Sequence, residues 1–112
     1  MPNQTFKNNQ SYMVATTMAA DLTGATIDAS GMNSCSFTIV NASNNSPAGD
    51  VFIQTSNDES TWVNSSSTAA ISGAETNMLE ITQLTARFVR IFYDVSSGGA
   101  DAAFNVAFTM KS

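Results

Sequence analysis

The residues that could do chemistry in this chain are few, and most of them gather around one stretch, VFIQTSNDESTWV, from Val51 to Val63. There Asn57, Asp58 and Glu59 make an acidic turn, and the only tryptophan, Trp62, follows it. Asp58 and Glu59 are adjacent carboxylates, but cleaving a glycosidic bond takes two carboxyl groups set apart across a cleft, which neighbouring turn residues do not supply. Asp50, Asp58, Glu59, Asp94 and Asp101 lie in or beside expected loops, and such loops can offer the roughly six to eight oxygens that a Ca²⁺ ion wants. No EF-hand spacing accompanies them, so they read as solvated turns, and neither a metal nor a cofactor is expected. The chain has one cysteine, Cys35, and no histidine. Internal disulfides and multi-cysteine metal sites are thereby excluded, and the commonest general base is missing. A nucleophilic thiol needs a base or a positive field beside it, and the sequence around Cys35 offers neither. No catalytic residue is assigned, and the chain reads as a non-enzyme.

Charge narrows the partners. The net charge is −5 and the isoelectric point about 4.1. The four cations, Lys7, Arg87, Arg90 and Lys111, are too sparse to neutralise a run of phosphates, so nucleic acid is not an expected partner. At 43% hydrophobic and 12% charged residues the chain is too apolar for a disordered segment, yet no run reaches the ~18 apolar residues of a membrane span. The opening MPNQTFKNNQ lacks a basic start followed by an apolar core, so no secretory signal is read and synthesis in the cytoplasm is expected. The triplets Asn41-Ala42-Ser43 and Asn64-Ser65-Ser66 follow from a composition rich in Asn, Ser and Thr, and glycosylation is not inferred from them.

The elements that must position these residues are short strands. Phe104, Val106, Phe108 and Met110 alternate with Asn105, Ala107 and Thr109, which is the period of a half-buried strand. Cys35, Phe37 and Ile39 alternate in the same way, placing the thiol in a core. Arg87 to Val95 is apolar on both faces, with Val89, Ile91, Tyr93 and Val95 on one and Phe88, Arg90 and Phe92 on the other. Such a strand lies centrally, with both faces partly covered. Val51 to Ser56 and Thr61 to Val63 flank the acidic turn as a hairpin. Weaker segments are Tyr12 to Thr16, Ala25 to Asp28 and Met78 to Thr82. Asn41 to Asp50, Ser65 to Glu75 and Ser96 to Asp101 read as surface loops. The whole predicts an all-β chain: one antiparallel β-sandwich over residues 12–112, of jelly-roll or immunoglobulin-like order, with about seven or eight strands. A polar, flexible amino-terminal arm over residues 1–11 precedes it. Two readings of Trp62 stay open, a ring closing the end of the core with its N–H on a loop carbonyl, or an exposed ligand platform.

The stretch QTSNDESTWV followed by ARFVRIFYDVSSGGADAAFNVAFTMK resembles a pattern of small bacteriophage virion proteins. In that pattern a strand ends in Ser-Asn-Asp-Gly-x-x-Trp, a Tyr-Val-Arg-type strand leads to a Ser/Gly-rich turn, and a closing alternating strand ends near a lysine. The likeness spans Gly49 to Lys111, and discoidin-like, galactose-binding jelly rolls carry similar elements. By this resemblance Trp62 and Arg90 are framework residues, with Arg90 capping or pairing near a turn. The chain departs from the pattern at Glu59, which stands where the pattern has glycine. A positive φ there costs a residue with a side chain roughly 1 kcal/mol, unless the turn is a type I form or a neighbour holds it. Discoidin-type domains are also usually longer and richer in aromatic ligand loops.

The resemblance implies a structural protein of a bacteriophage virion (a minor capsid, decoration or tail-associated subunit) that packs against other virion proteins and forms a homo-oligomer, without membrane or nucleic acid. Phe88 and Phe92, as outward aromatics on a strand, and Ser97, Gly98 and Gly99, in the turn after it, are the expected contacts. The alternative is a glycan- or receptor-binding module using Asn57, Asp58, Glu59 and Trp62, with a sugar as the partner.

Overall fold

Alternating apolar residues can be buried on one side of a strand only if a second layer covers them, and this chain supplies that layer from itself. The computed structural model describes residues 6–42, 47–99 and 102–112. The strands among them are β1 (Phe6–Ala15), β2 (Leu22–Thr23), β3 (Ile27–Asp28), β4 (Ser34–Asn41), β5 (Ala48–Ser56), β6 (Val63–Ser72), β7 (Glu75–Ile81), β8 (Phe88–Ser97) and β9 (Phe104–Lys111). One sheet runs β1-β9-β4-β7; the other runs β2-β8-β5-β6, with β3 also pairing β8. All pairings are antiparallel. The molecule is a single all-β sandwich. Counting β2 and β3, which share the neighbour β8, as one interrupted strand reduces nine strands to eight.

The core lies between the sheets. Phe37, Ile39, Val106 and Met110 from one sheet meet Val51, Ile53, Val89, Ile91 and Tyr93 from the other, all at 0% exposure. Burying each large side chain of this kind stabilises by about 1.5–3 kcal/mol. Cys35, at 3% exposure, belongs to the same cluster, as its alternation predicts.

The two open flanks of the sandwich are closed by different means. On one, β6 leaves the second sheet and turns at Gly73 into β7 of the first, and the buried Asn41 donates from Nδ2 to the Gly73 carbonyl at 2.8 Å. On the other, Tyr12 reaches from β1 across to the second sheet. Its ring packs edge-on to Phe108 at 5.3 Å and tilted to Phe37 at 5.9 Å. Its hydroxyl donates to the Ala25 carbonyl at 2.5 Å and accepts from the Ile91 amide at 3.3 Å. This occurs where Thr23 pairs with Phe92 and Ile27 with Val89, so that residues 24–26 bulge opposite Arg90 and Ile91. The phenol stands in for a ladder rung that the bulge removes. A Cβ at position 24 would collide with the Tyr12 hydroxyl, which is why glycine sits there. Burial pushes the Tyr12 phenol up to about 12.

Several expected boundaries move. Residues 6–11, read as part of an arm, form the first half of β1, with Phe6 opposite Lys111 and Asn9 opposite Phe108. Backbone pairing with β9 orders this polar segment although its side chains are exposed. The remainder of the arm, residues 1–5, lies outside the described residues. The expected loop from Ser65 to Glu75 is instead most of β6, a turn, and the start of β7. Its small residues hide a true alternation, in which Ile71 is buried and Ser65, Ser67 and Ala69 are half-buried while their neighbours are exposed. The expected loop at Asn41 to Asp50 is shorter, since Asn41 ends β4 and Ala48 begins β5; positions 43–46 lie outside the described residues. Ser96 and Ser97 complete β8, leaving the turn that follows to begin at Gly98. Of that expected turn, Ala100 and Asp101 lie outside the described residues.

Candidate functional site

Strands β5 and β8 are neighbours in the middle of the second sheet. Their inward residues fill the core, so every second residue must point outward, and this puts an unusual set on the outer face. Ser56 pairs with Phe88, Gln54 with Arg90, Phe52 with Phe92, and Asp50 with Asp94. None of the three phenylalanines belongs to the core cluster. Phe52 and Phe92 are half-buried, whereas Phe88 is 7% exposed and carries the Arg87 guanidinium 4.9 Å from its ring centroid.

Arg90 organises this face. Its Nε donates to Gln54 Oε1 at 2.8 Å, and Gln54 Nε2 donates in turn to Asn64 Oδ1 of β6 at 2.9 Å. Its guanidinium stacks on the Trp62 ring at 4.0 Å, a cation–π contact of about 0.5–2 kcal/mol depending on desolvation. Trp62 is half-buried and lies outside the core between the sheets. Its indole N–H bonds the Glu59 carbonyl at 3.2 Å. The ring thus closes the hairpin end from the outside of the second sheet: the loop-carbonyl bond is the one expected, and the position is not. The indole follows the turn, and the turn delivers it to the arginine.

The acidic turn is built to hold itself. Asp58 Oδ1 accepts from the Ser60 amide at 2.8 Å, the Thr61 amide at 2.7 Å and Ser56 Oγ at 3.0 Å. These donors hold the Asp58 carboxyl at about 2, below the usual 3.8. Ser56 Oγ accepts from the Glu59 amide at 3.1 Å, and Asn57 Oδ1 accepts from the Arg87 amide at 3.1 Å. Glu59 takes φ 65°, the left-handed conformation that the glycine of the resembled pattern would adopt without strain, and its neighbours hold it there. Of the proposed ligand-loop residues, Asn57, Asp58 and Trp62 are therefore engaged in framing the hairpin. An open depression of about 240 Å³ lies beside them, lined by Ser56, Asp58, Thr61 and Ala86 among others.

The structure gathers Phe88, Phe92, Arg90 and Trp62 on one face. It does not bring Ser97, Gly98 and Gly99 to them: these lie at the far end of β8, roughly 30 Å from Phe88 at about 3.3 Å per residue. Gly99 has φ 79° and packs against the Met18 backbone, whose amide bonds its carbonyl at 2.6 Å, so this turn is seated on the body of the molecule. Gln54, Asn64 and Phe52 escape the sequence reading. Gln54 and Phe52 share the outward parity of Ser56, which is visible in the sequence, but their meeting with β8 depends on register.

Elsewhere the chemistry is sparse. Burial pushes the Cys35 thiol up to about 11. Among the described residues no cluster of three or more His, Cys, Asp or Glu side chains could hold a metal ion. A second open groove of about 520 Å³ crosses the outer face of the first sheet over Ser34, Ser36, Glu80, Thr109 and Lys111. No helix among the described residues is long and apolar enough to cross a membrane.

With this geometry the chain can be set beside known proteins. No curated protein matches it in sequence. Several solved structures share its fold. The SPBc2 prophage-derived protein YomS superposes with a TM-score of 0.63 at 11% identity, over 100% of this chain and 97% of that one. The PBSX exported protein XepA gives 0.69 at 14% identity over 96% of this chain, which spans 37% of XepA. A Bacillus endospore appendage protein, from a family of disulfide-linked pili, gives 0.60 at 12% identity over 98% of this chain and 89% of that one. At these identities the likeness is one of fold. In sequence, residues 28–112 match the family described as a domain of unknown function, DUF6385, and the chain belongs to that family.

Proposed function

We propose that the chain is a non-enzymatic structural subunit of a bacteriophage particle, a minor capsid, decoration or tail-associated protein that works by packing against other subunits. The observation that carries this reading is the outward face of the second sheet, where the half-buried Phe52, Phe92 and Trp62 stand with Arg90 on a domain whose carboxylates and thiol are not arranged for catalysis. Phe88, expected as a contact, is buried beneath Arg87 and offers no surface. Aromatic residues and arginine are the types enriched where proteins meet. The fold shared with the prophage-derived protein YomS supports the phage assignment. The strand order supports the jelly-roll alternative over the immunoglobulin-like one, since with β2 and β3 merged it becomes 1-8-3-6 beside 2-7-4-5, a two-sheet, eight-strand arrangement. The disulfide linkage named for the appendage pili is not proposed for Cys35, which is 3% exposed.

A glycan- or receptor-binding role has less support, because Arg90 covers one face of Trp62 and the Asp58 carboxylate is spent on its own turn. The deciding experiment is mass spectrometry of gradient-purified particles, with immunogold labelling of the same preparation. The chain is expected at a fixed copy ratio to the major capsid or tail protein. Its absence from particles while it accumulates free in the lysate would overturn the proposal.

A further inference from the structure

The outer face of the second sheet is ordered along its strands in three rows. Asp50 lies opposite Asp94, two residues on Phe52 lies opposite Phe92, and two further Gln54 lies opposite Arg90. Consecutive rows are about 7 Å apart. The first row is an anomaly, because like charges directly opposite on neighbouring strands destabilise a sheet. The other cross-strand neighbour of Asp50 is Ala70, and the next acid along, Asp21, accepts from the Val95 amide at 2.9 Å, so the row gathers negative charge without a cation on it. At the opposite end Arg90 is held by an amide and an indole rather than by a carboxylate. Half-buried aromatics sit midway between.

Such a face is complementary to itself. We infer that a second copy of this chain docks on it through a twofold axis that lies in the interface and crosses the strands along the Phe52–Phe92 row. The inference deepens the structural-subunit reading and rests on it. The operation keeps β5 over β5 and β8 over β8 but reverses their direction. The partner's Asp94 then stands over Arg90, the partner's Asp50 over Gln54, and the two Phe92 rings meet at the axis. Each copy gives and receives one Arg90–Asp94 pair, as an isologous contact requires. Three long strands, β5, β6 and β8, with the interrupted run of β2 and β3 beside them, spaced about 4.8 Å and on average roughly eight residues long, present roughly 500 Å² per copy. The total of about 1,000 Å² sits at the lower bound for a specific interface. The dimer is therefore weak, salt-sensitive, and reinforced when copies are held together in an assembly.

Sedimentation over a concentration series from micromolar to millimolar, at low and high salt, tests this with charge-reversal variants. Wild type is expected to dimerise, at least tenfold more weakly in high salt. Asp94→Lys and Arg90→Glu are each expected to lose at least tenfold in association, while an equimolar mixture of the two recovers to within about threefold, because a heterodimer restores both pairs. Should Arg90→Glu fail to fold by circular dichroism, Phe92→Cys in a Cys35→Ala background serves instead. A short bismaleimide is expected to link residue 92 of two copies, and not the exposed control Ser66→Cys in the same background. A wild type that stays monomeric at millimolar concentration overturns the dimer, as does Asp94→Lys associating as strongly as wild type. Either result leaves the particle assignment standing, since that is decided by presence in purified particles.

Discussion

Replacing Tyr12 with phenylalanine removes one oxygen and keeps the ring against Phe108 and Phe37. The lost hydroxyl serves two backbone groups, the Ala25 carbonyl at 2.5 Å and the Ile91 amide at 3.3 Å. Leaving a sequestered backbone group without its partner costs about 1–3 kcal/mol. The bond from Ile91 is long, and Ala25 is exposed enough to find water, so the two together should cost about 2 kcal/mol rather than the sum of the maxima. For a chain of this length that is a fall in Tm of roughly 8 °C. Urea unfolding followed by Trp62 fluorescence should show a lower midpoint at unchanged slope, as expected when stability changes and compactness does not. Hydrogen exchange should report faster protection loss at Ile91 than at Ile53, which pairs deeper in the same sheet. Tyr12→Leu, which also loses the ring contacts, should fall further. If Tyr12→Phe unfolds within about 0.3 kcal/mol of wild type with Ile91 equally protected, the phenol does not bridge the bulge and this account of the flank is wrong.

The acidic turn supplies two further tests. Glu59→Gly should stabilise by about 0.5–1 kcal/mol, the left-handed penalty of roughly 1–2 kcal/mol less the extra backbone entropy of glycine; Glu59→Ala should change nothing, and a Glu59→Gly protein less stable than wild type would count against strain at φ 65°. Because the Asp58 carboxyl is held at about 2 when folded, its contribution is present above about pH 4 and disappears as pH falls toward 2. Thermal melts should therefore show Asp58→Asn less stable than wild type at pH 7 and level with it at pH 2, and a constant gap across that range would refute the assignment. With its thiol pushed up to about 11 and 3% exposed, Cys35 should resist Ellman's reagent at pH 8 in the native protein and react fully in urea; rapid native labelling would show that the core opens readily.

How much of this could be read from the chain depended on whether a residue's fate is decided locally. Inward residues of β4, β5, β8 and β9 were legible because strict alternation fixes the parity of a strand. The segment from Ser65 to Glu75 reads as a loop because serine and alanine mimic loop composition, while the cause of its order is pairing with β5, a partner more than ten residues away. Residues 6–11 were missed for the same reason, since their order comes from the β9 backbone and not from side chains of their own. The acidic turn is visible because Asx-type bonding acts over two or three residues, whereas the misfit of Glu59 comes only from the resemblance, whose pattern has glycine there. The Arg90–Gln54–Asn64 chain and the Asp50–Asp94 row were not legible, since each is created by the register of β5 against its neighbours. Trp62 shows the division within one residue: an indole bond to a loop carbonyl is local and belongs to one of the two readings that the sequence leaves open, whereas its place over Arg90 is set by the sheet.

The pairing of Phe6 with Lys111 sets the two ends of the described chain side by side on adjacent antiparallel strands. A tension applied through those ends would act across the β1–β9 ladder, opening its rungs one at a time like a zipper, instead of shearing them all at once. Such a geometry yields at low force. A domain of this kind is poorly suited to carry a load end to end, and would withstand stress only when gripped on its broad faces.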